Sequence, residues 1–353
     1  MRETAQRTAV AALVAVSVVV LALALWKLRL VVSLLFGALI VAAAMRPGVE
    51  ALKRRGIPRG AGIALQYFAL AGVVTLALWL VVPRAVDQTQ QAIGSIPTTR
   101  QELKQATRHS TGIKHEILVE IQQHLRGVPS ASAVIRPAAE ITVRAFEVLI
   151  GILFVFASAA YWIFERDRAV RLVMAGVPRA RRRVVRDTWD LIDLKLGAFV
   201  RGQALLIVLV AIVLSLLFLA IGEPYWILLG AFAGLVEIVP VIGPLTAGAL
   251  AVGVGLSASV GTAVAAGICV LAVRLAEDYL VIPRVLGDAV GLSPLLVLFS
   301  VSAVAILFGG FAVLLAIPLA AVIATIAEVI VLDKNPAEEE VPTVLFPAKD
   351  AEA

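Results

Sequence analysis

Charged residues and cysteine are scarce in this chain of 353 residues. Only 16% of the residues are charged, 61% are hydrophobic, and a single cysteine, Cys269, lies inside an apolar run. One thiol cannot close an intrachain disulfide and does not make a metal site by itself. A soluble protein needs more polar residues than this to cover its surface. The composition therefore indicates a polytopic membrane protein, in which Cys269 is a small buried hydrophobic residue.

Sequence motifs of hydrolases and of nucleotide-driven pumps are also missing. The chain contains no GxxxxGK[ST] loop, no HExxH zinc motif and no GxSxG nucleophile motif. The three histidines, His109, His115 and His124, lie outside the apolar runs, and spacings of six and nine residues do not place them on one helical turn. We therefore expect no enzyme activity, no cofactor and no direct use of ATP. Solvated surface positions are expected for the histidines, with a metal or pH-sensing site as the alternative.

Apolar runs near the length of a membrane span fill most of the chain. A spanning helix needs about 20 apolar residues. The candidate spans are Ala9–Leu25, Leu30–Ala44, Ala61–Val82, Phe146–Phe164, Ala204–Ile221, Val260–Ile282, Leu292–Phe308 and Phe311–Leu332. Two further runs, Tyr225–Val239 and Leu245–Ala258, are too short to cross a bilayer without tilt or a break. The sequence therefore predicts an all-α polytopic membrane protein with a re-entrant helical hairpin over residues 225–258.

Lysine and arginine are concentrated in two loops between the apolar runs. Residues 46–59 contain five basic residues against one acidic residue, and residues 165–201 contain ten basic and five acidic residues. Cytoplasmic loops carry an excess of basic residues, so we expect both loops in the cytoplasm, together with the N-terminus that holds Arg2 and Arg7. The net charge of +6 reflects this bias. The sequence has no basic stripe interleaved with aromatic residues, so it gives no support for binding to nucleic acid.

Changes in composition divide the chain into five segments. They are the first three spans with a basic cytoplasmic loop (1–82), an extracytoplasmic helical segment (83–145), the fourth span with a basic amphipathic linker (146–203), a transport core (204–332) and a disordered cytoplasmic tail (333–353). Apolar residues recur at three- and four-residue steps between Leu103 and Val128, which predicts amphipathic helices in the external segment. The first apolar run also resembles a signal peptide, but the second run that follows closely favours a retained helical hairpin.

The stretch Glu237–Leu245, EIVPVIGPL, interrupts the apolar sequence with a carboxylate, two prolines and a glycine. Pro240 has no N–H to donate, and Gly243 and Pro244 extend the interruption, so we expect no continuous helix through this stretch. Carbonyl groups freed by such a break need water or protein partners, because hydrocarbon offers none. Half-helix ends near the membrane midplane are ion and substrate sites in secondary transporters. We therefore predict that these four residues line a transport path; the alternative is a plain kink with Glu237 in cytosolic water.

A second polar group, Arg274, Glu277 and Asp278, lies in an apolar run that ends at Pro283 and Arg284. The acidic residues follow Arg274 by three and four positions, so one side of a helix can hold all three side chains. A salt-bridged group costs much less in a membrane than an isolated charge. The functional hypothesis makes Glu277 or Asp278 a gate or an ion partner that alternates between Arg274 and cargo. The alternative is a structural ion pair that anchors the helix.

With several short motifs, these features resemble the AI-2E family of transporters, which includes autoinducer-2 exporters and PerM-like permeases. The resemblance extends from Ala9 to Leu332. The matching motifs are Arg46-Pro47, Arg54-Arg55-Gly56-Ile57-Pro58-Arg59, Arg201-Gly202-Gln203, Gly222-Glu223-Pro224-Tyr225, Glu237-Ile238-Val239-Pro240-Val241-Ile242-Gly243-Pro244, Pro283-Arg284-Val285-Leu286-Gly287, Val290-Gly291-Leu292-Ser293-Pro294 and Ala316-Ile317-Pro318-Leu319-Ala320. The Pro-x-x-Gly-Pro tip and the later Pro-Arg-x-x-Gly motif are the most specific of them.

The resemblance implies a protein of the bacterial plasma membrane with about eight spans, both termini in the cytoplasm, and a homo-oligomeric assembly for which a pentamer is the candidate. Family members are assigned to export of the quorum-sensing signal autoinducer-2 or to sodium–proton antiport. We expect a secondary transporter that exports a small polar solute such as autoinducer-2, with Na⁺(Li⁺)/H⁺ antiport as the alternative and a non-transporting membrane scaffold as a further one. Structural roles are expected for Arg201, Gly202, Gln203, Pro283, Arg284, Gly287, Pro294 and Pro318.

Overall fold

A computed structural model of the chain describes residues 26–93, 131–239, 242–285, 293–339 and 341, with single helical positions between 13 and 24. Some of the predictions concern other positions. The three histidines, the amphipathic pattern between Leu103 and Val128, Pro240 and Gly287 lie outside the described residues.

Every regular element within those ranges is helical, as the apolar runs predict. In chain order the helices are α1 (Arg29–Arg54), α2 (Arg59–Ile93), α3 (Ala131–Gly176), α4 (Arg182–Ala220), α5 (Trp226–Val236), α6 (Ile242–Ala258), α7 (Val260–Ala276), α8 (Ile282–Val285), α9 (Pro294–Phe308) and α10 (Ala316–Val331). Short 3-10 turns occur at Arg179–Arg181 and Gly310–Leu315, and a π-helical turn follows α7 at Glu277–Val281. The all-α prediction is confirmed.

Six helices in the described part of the chain are long and apolar enough to cross a membrane. Large apolar side chains such as Phe68 and Trp79 are exposed along α2, and an apolar surface of this extent needs lipid or another protein to cover it. The prediction of a polytopic membrane protein is therefore confirmed. The helices run beyond the apolar runs, because α2 continues through Pro83 to Ile93 and α3 begins at Ala131. The C-terminal end of α2 and the N-terminal end of α3 belong to residues 83–145, the segment that the sequence predicts to be external.

The described chain forms two compact units, and neither is continuous in sequence. The first unit contains residues 1–63, 151–201 and 286–353, and the second contains residues 64–150 and 202–285. In the first unit, Leu196 of α4 packs against α1 at Ile40 and Ala43. Helices α2, α3 and α4 each contribute to both units. The division into five segments that composition suggests stays a prediction.

Two described residues of the chain after α10 contact α4 within the first unit. The disorder that the composition of the tail predicts stays a prediction. The Nζ atom of Lys195 lies 2.6 Å from Oε1 of Glu339, and Val341 is buried beside Leu191 and Ala198 of α4. An ion pair at Glu339 and the buried side chain of Val341 thus join this part of the tail to α4. The remaining residues of the tail lie outside the described part.

Small residues let α4, α5, α6 and α7 pack closely in the second unit. Their shared core consists of Val210, Leu214, Phe218, Leu229, Ala233, Ala247, Ala251 and Ala266. Gly230 of α5 faces Ser215 of α4 so closely that a Cβ on Gly230 would lie 2.6 Å from the backbone nitrogen of Ser215. Gly234 meets α4 in the same way, with its Cβ position 2.5 Å from the carbonyl oxygen of Ile207. Glycines four residues apart allow backbones to touch, as in many membrane helix pairs.

Replacement of Gly230 by Ala is expected to destabilise the protein by about 1–3 kcal/mol, because the added methyl group overlaps the backbone of α4. Gly253 on α6 is the matched control, since a Cβ there meets no atom within 4 Å. Gly253→Ala should leave stability unchanged or raise it, because alanine favours a helix. Chemical unfolding in detergent micelles measures both variants. Equal effects of the two substitutions would contradict the close α4–α5 contact.

Candidate functional site

The helix break that the sequence predicts lies between α5 and α6. Helix α5 ends at Val236, Glu237–Val239 form a turn, and α6 begins at Ile242. Sequence reasoning extended the break to Pro244, which is wrong in extent: Gly243 and Pro244 lie in the first turn of α6. Proline is tolerated there because the first backbone N–H groups of a helix have no intrahelical partner. Glycine is required at position 243 because the backbone of Val236 is too close for a side chain. A Cβ at this position would lie 2.7 Å from the carbonyl carbon of Val236.

A side chain from α4 supports the break. The Nε2 atom of Gln203 donates a hydrogen bond of 3.0 Å to the carbonyl oxygen of Glu237. This bond gives a protein partner to a carbonyl group that the turn has released from helical pairing, as a low-dielectric environment requires. Gln203 directly precedes the apolar run 204–221, so the tip of the α5–α6 hairpin lies toward the arginine-rich end of α4. Helix α5 itself is only about 17 Å long.

The carboxylate of Glu237 meets the arginine of the second polar group. Arg274 places Nη1 3.3 Å from Oε1 of Glu237 and 3.6 Å from Oε2 of Glu277, and its Nη2 lies 2.9 Å from Oδ1 of Asp278. Glu237 and Glu277 are 8% and 4% exposed, whereas the side chain of Asp278 is 42% exposed. The prediction that Arg274, Glu277 and Asp278 share one side of a helix is confirmed. The sequence predicts two separate polar groups, one at Glu237 and one at Arg274. In the structure they form one cluster of Glu237, Arg274, Glu277 and Asp278, called the Arg274 cluster below.

The helix that carries this cluster changes its winding at the acidic residues. Residues Glu277–Val281 form a π-helical turn, and the N–H group of Ile282 bonds to the carbonyl oxygen of Glu277. π-Helical turns are rare, occur mostly as single turns within α-helices, and are frequent at functional sites. Here it begins at the buried Glu277, directly after α7 ends. The change of winding and the burial of Glu277 thus coincide in the Arg274 cluster.

The charges of the Arg274 cluster do not balance. One guanidinium faces three carboxyl groups, and the buried Oε1 of Glu277 has no hydrogen-bond partner in the described structure. Uncompensated negative charge is costly away from water, so such a group attracts a cation, a proton or a hydrogen-bond donor. The described residues contain no group of three or more His, Cys, Asp or Glu side chains arranged to hold a metal ion. Within the described structure, the cluster thus combines one guanidinium with a buried carboxylate oxygen that has no hydrogen-bond partner.

The other predicted motif residues lie at helix ends and packed positions. Arg201 is buried on α4 and its Nη1 donates to the carbonyl oxygen of Ala44 at 3.2 Å. Gly202 is buried, Pro283 is exposed on α8, and Arg284 belongs to the same short helix. Pro294 opens α9 behind the N-cap Ser293, and Pro318 is fully buried in α10. These placements are compatible with structural roles, which stay predictions.

Sequence reasoning missed one partner of the site, Gln203, and one buried acid outside it, Glu223. Gln203 was assigned only a structural role in a motif, yet it bonds to the tip residue Glu237. Glu223 was quoted only within a family motif, yet it is buried in the turn between α4 and α5. The available signal in both cases was a polar residue at the edge of an otherwise apolar run. Their contacts depend on helix packing, which one sequence does not reveal.

Comparisons with known proteins agree with this architecture. A family model described as "AI-2E family transporter" matches residues 15–332. The Bacillus subtilis (strain 168) protein named "Putative transport protein YrrI" is 23% identical over 293 residues, which covers 78% of this chain and 80% of that protein. "Putative transport protein YueF" of the same organism is 26% identical over 318 residues, covering 83% of each chain. "Putative transport protein MT0215" of Mycobacterium tuberculosis (strain CDC 1551 / Oshkosh) is 24% identical over 301 residues, covering 83% of this chain and 81% of that protein.

Proposed function

The chain belongs to the AI-2E transporter family, and from this membership we propose that it is a secondary transporter that exports a small polar solute across the bacterial plasma membrane. Autoinducer-2 is the first candidate for the solute. The arginine-rich loops place both termini in the cytoplasm in this proposal. Exposed apolar helix faces support a homo-oligomer, for which a pentamer is the first candidate.

The observation that carries the proposal is the Arg274 cluster at a helix break. Broken helices are tolerated at membrane depth only where protein or water borders them, and secondary transporters place substrate and ion sites at such breaks. Glu237 supplies a buried carboxylate at the end of α5, and Arg274 supplies hydrogen-bond donors from α7. The proposed path runs between the α5–α6 hairpin, with Pro240, Gly243 and Pro244 at its tip, and the helix that holds Glu277 and Asp278.

The donors and acceptors of this cluster define a transport cycle in this proposal. In the described state Arg274 is occupied by Glu237, Glu277 and Asp278. Hydroxyl and carbonyl groups of a polar solute would replace one or more of these contacts and so weaken the link between α5 and α7. Release of the solute would let the ion pairs form again. The exchange of partners at Arg274 thus couples solute binding to the position of the hairpin.

Cation–proton exchange is the second candidate, and the charge imbalance of the cluster favours it. Three carboxyl groups on one guanidinium can bind a proton or a monovalent cation in turn. Proton release from everted vesicles on addition of Na⁺ or Li⁺ would support this alternative, and its absence from a well-coupled preparation would count against it. The names of the relatives support transport over a scaffold role.

Efflux from proteoliposomes tests the proposal. Vesicles with purified protein and internal autoinducer-2 are compared for the wild type and Glu237→Gln. Glutamine keeps the size of the side chain but loses the negative charge that faces Arg274, so we expect efflux to fall at least about tenfold. Glu165→Gln is the matched control, because Glu165 pairs with Arg168 on an exposed part of α3. It should retain wild-type efflux.

Two outcomes would overturn parts of this proposal. Unchanged efflux in Glu237→Gln would remove the carboxylate from the mechanism while leaving transport itself in place. A wild-type protein that moves neither the solute nor protons in exchange for Na⁺ or Li⁺ would favour the scaffold alternative.

A further inference from the structure

A second buried carboxyl group lies outside the Arg274 cluster. Glu223 occupies the turn between α4 and α5 and is only 2% exposed. Both of its carboxylate oxygens are buried, and neither has a hydrogen-bond partner in the described structure. Its backbone N–H group bonds to the carbonyl oxygen of Phe218 at 2.9 Å, which fixes the turn against the end of α4. The carboxyl group is therefore held in place while its polar atoms are left unpaired.

The turn between α6 and α7 covers this carboxyl group. Oε2 of Glu223 lies 3.0 Å from the position that a Cβ of Gly255 would occupy, and that position is 2.8 Å from the Cα of Ala263. Gly255 precedes the turn and Ala263 follows it, so the two helices touch directly above Glu223. Ser259 caps the start of α7, with its hydroxyl accepting from the N–H of Thr262 at 3.0 Å. The contact between these helices thus contributes to the burial of Glu223.

In the described part of the chain, no basic side chain hydrogen-bonds to the Glu223 carboxyl group. From Gly202 to Val273 the chain contains no lysine, arginine or histidine. Helices α5 and α6 contain no titratable side chain, α4 contains none after Arg201, and α7 contains only Cys269 and Arg274. Tyr225 lies in the same turn as Glu223, and Glu223 acts on Cys269 of α7 through its charge. Arg274, at the far end of α7, is occupied by its own three carboxylates.

An ionised carboxylate in such surroundings is unfavourable, because burial without a partner costs several kcal/mol for each ion. The group avoids this cost by binding a proton. Burial raises the pKa of Glu223 to about 7 from its ordinary value of 4.5. Near neutral pH the carboxyl group can thus gain or lose a proton as its cover closes or opens.

We propose that Glu223 is a proton-binding site that holds its proton while the α6–α7 turn covers it and releases the proton to water when that turn moves away. Release breaks the O–H bond of the carboxylic acid and leaves a carboxylate facing water; closure requires that a proton from water return. The site lies at the opposite end of α4 from Gln203 and the Arg274 cluster, about 25 Å along the helix. It would couple proton binding on one side of the hairpin to solute exchange on the other. Only this coupling rests on the proposed function.

Infrared titration of the full-length protein in liposomes tests proton binding without reference to transport. Wild-type protein should show the C=O band of a protonated carboxyl group that disappears with a midpoint near pH 7. Glu223→Gln should lose this component, whereas Glu237→Gln should keep it. Glu223→Asp, which retains an acid in the same turn, should restore a titrating band even if the glutamine variant inserts poorly. A full-strength neutral band in Glu223→Gln, or a Glu223 component that titrates near the ordinary value of 4.5, would overturn the proposal.

Efflux measured over the same pH range separates the two hypotheses. If Glu223 couples protons to transport, wild-type efflux should change across neutral pH, and Glu223→Gln should lose this dependence. An unaltered pH dependence in Glu223→Gln, with the infrared component lost, would refute the coupling and leave the proton site. Absence of any wild-type transport together with a titrating Glu223 band would refute the proposed function alone.

Discussion

Replacement of Arg274 by Met is expected to lower the free energy of unfolding by about 3–5 kcal/mol, the usual cost of removing one partner from a buried ion pair. Arg274 is within ion-pair distance of Glu237, Glu277 and Asp278. Methionine fills the volume of the side-chain stem but leaves three carboxyl groups without a counter-charge, two of them buried. The structure should respond by taking up protons or water, so the loss should be larger at high pH than at low pH. Unfolding in detergent micelles, followed by circular dichroism, measures the effect.

Two further variants define how this loss should be interpreted. Arg168→Met removes an arginine whose side chain is 72% exposed and whose contact with Glu165 is 3.7 Å long, so it should cost less than about 1 kcal/mol. The double variant Arg274→Met with Glu277→Gln removes one buried charge together with the guanidinium and should recover part of the lost stability. A similar loss in Arg168→Met and Arg274→Met, or no recovery in the double variant, would contradict an energetically coupled cluster.

Local features of the second unit could be predicted from the sequence because their causes are local. Apolar runs of sufficient length predict helices, and the break near Pro240 follows from a missing N–H group and a ring that clashes with the preceding turn. The side shared by Arg274, Glu277 and Asp278 follows from helical periodicity. The error in the extent of the break has a local cause as well. Proline breaks the interior of a helix, but Pro244 lies in the first turn of α6, where proline is compatible with helix formation.

Contacts between distant segments could not be predicted in this way. Glu237 and Arg274 are 37 residues apart, and their pairing depends on how closely α5, α6 and α7 pack. The glycines that let α5 approach α4 so closely, Gly230 and Gly234, are only two of the 26 glycines in the chain. The contact of Glu339 with Lys195 joins residues 144 positions apart, so the local composition of the tail gave no sign of it. A single sequence shows which residues are charged, but it does not show which of them are in contact in the folded protein.

The Arg274 cluster and Glu223 together suggest why an apolar hairpin carries acids at both ends. The cluster is tied to α5 through Glu237 and to α7 through Arg274, so its ion pairs link the hairpin to the next helix. Glu223 lies below the turn that joins α6 to α7, where Gly255 and Ala263 meet. Movement of α7 would therefore disturb both places, since the same helix contributes to each. Proton binding and solute binding would be linked through one rigid element rather than through a chain of side chains.

Glu223→Gln is expected to abolish a pH-dependent part of the protein's stability. The pKa of Glu223 is raised from 4.5 in its ordinary state to about 7 in the folded protein. Between these pH values the folded state holds a proton that the unfolded state has lost, so stability contributed by this group is fully present below pH 4.5 and declines as pH rises toward 7. The shift corresponds to a loss of about 3 kcal/mol across this window. Glutamine, which is neutral throughout, should show no such decline.

The difference between Glu223→Gln and the wild type isolates this contribution, because the other titrating groups are common to both proteins. The variant should gain stability relative to the wild type as pH rises from 4.5 to about 7, and the gain should stay constant at higher pH. Thermal or chemical unfolding in micelles at a series of pH values provides the measurement. Glu165→Gln, on an exposed part of α3, should remain parallel to the wild type. Parallel curves for Glu223→Gln and the wild type would mean that Glu223 titrates as an ordinary carboxyl group, which would require water to reach it in the folded state.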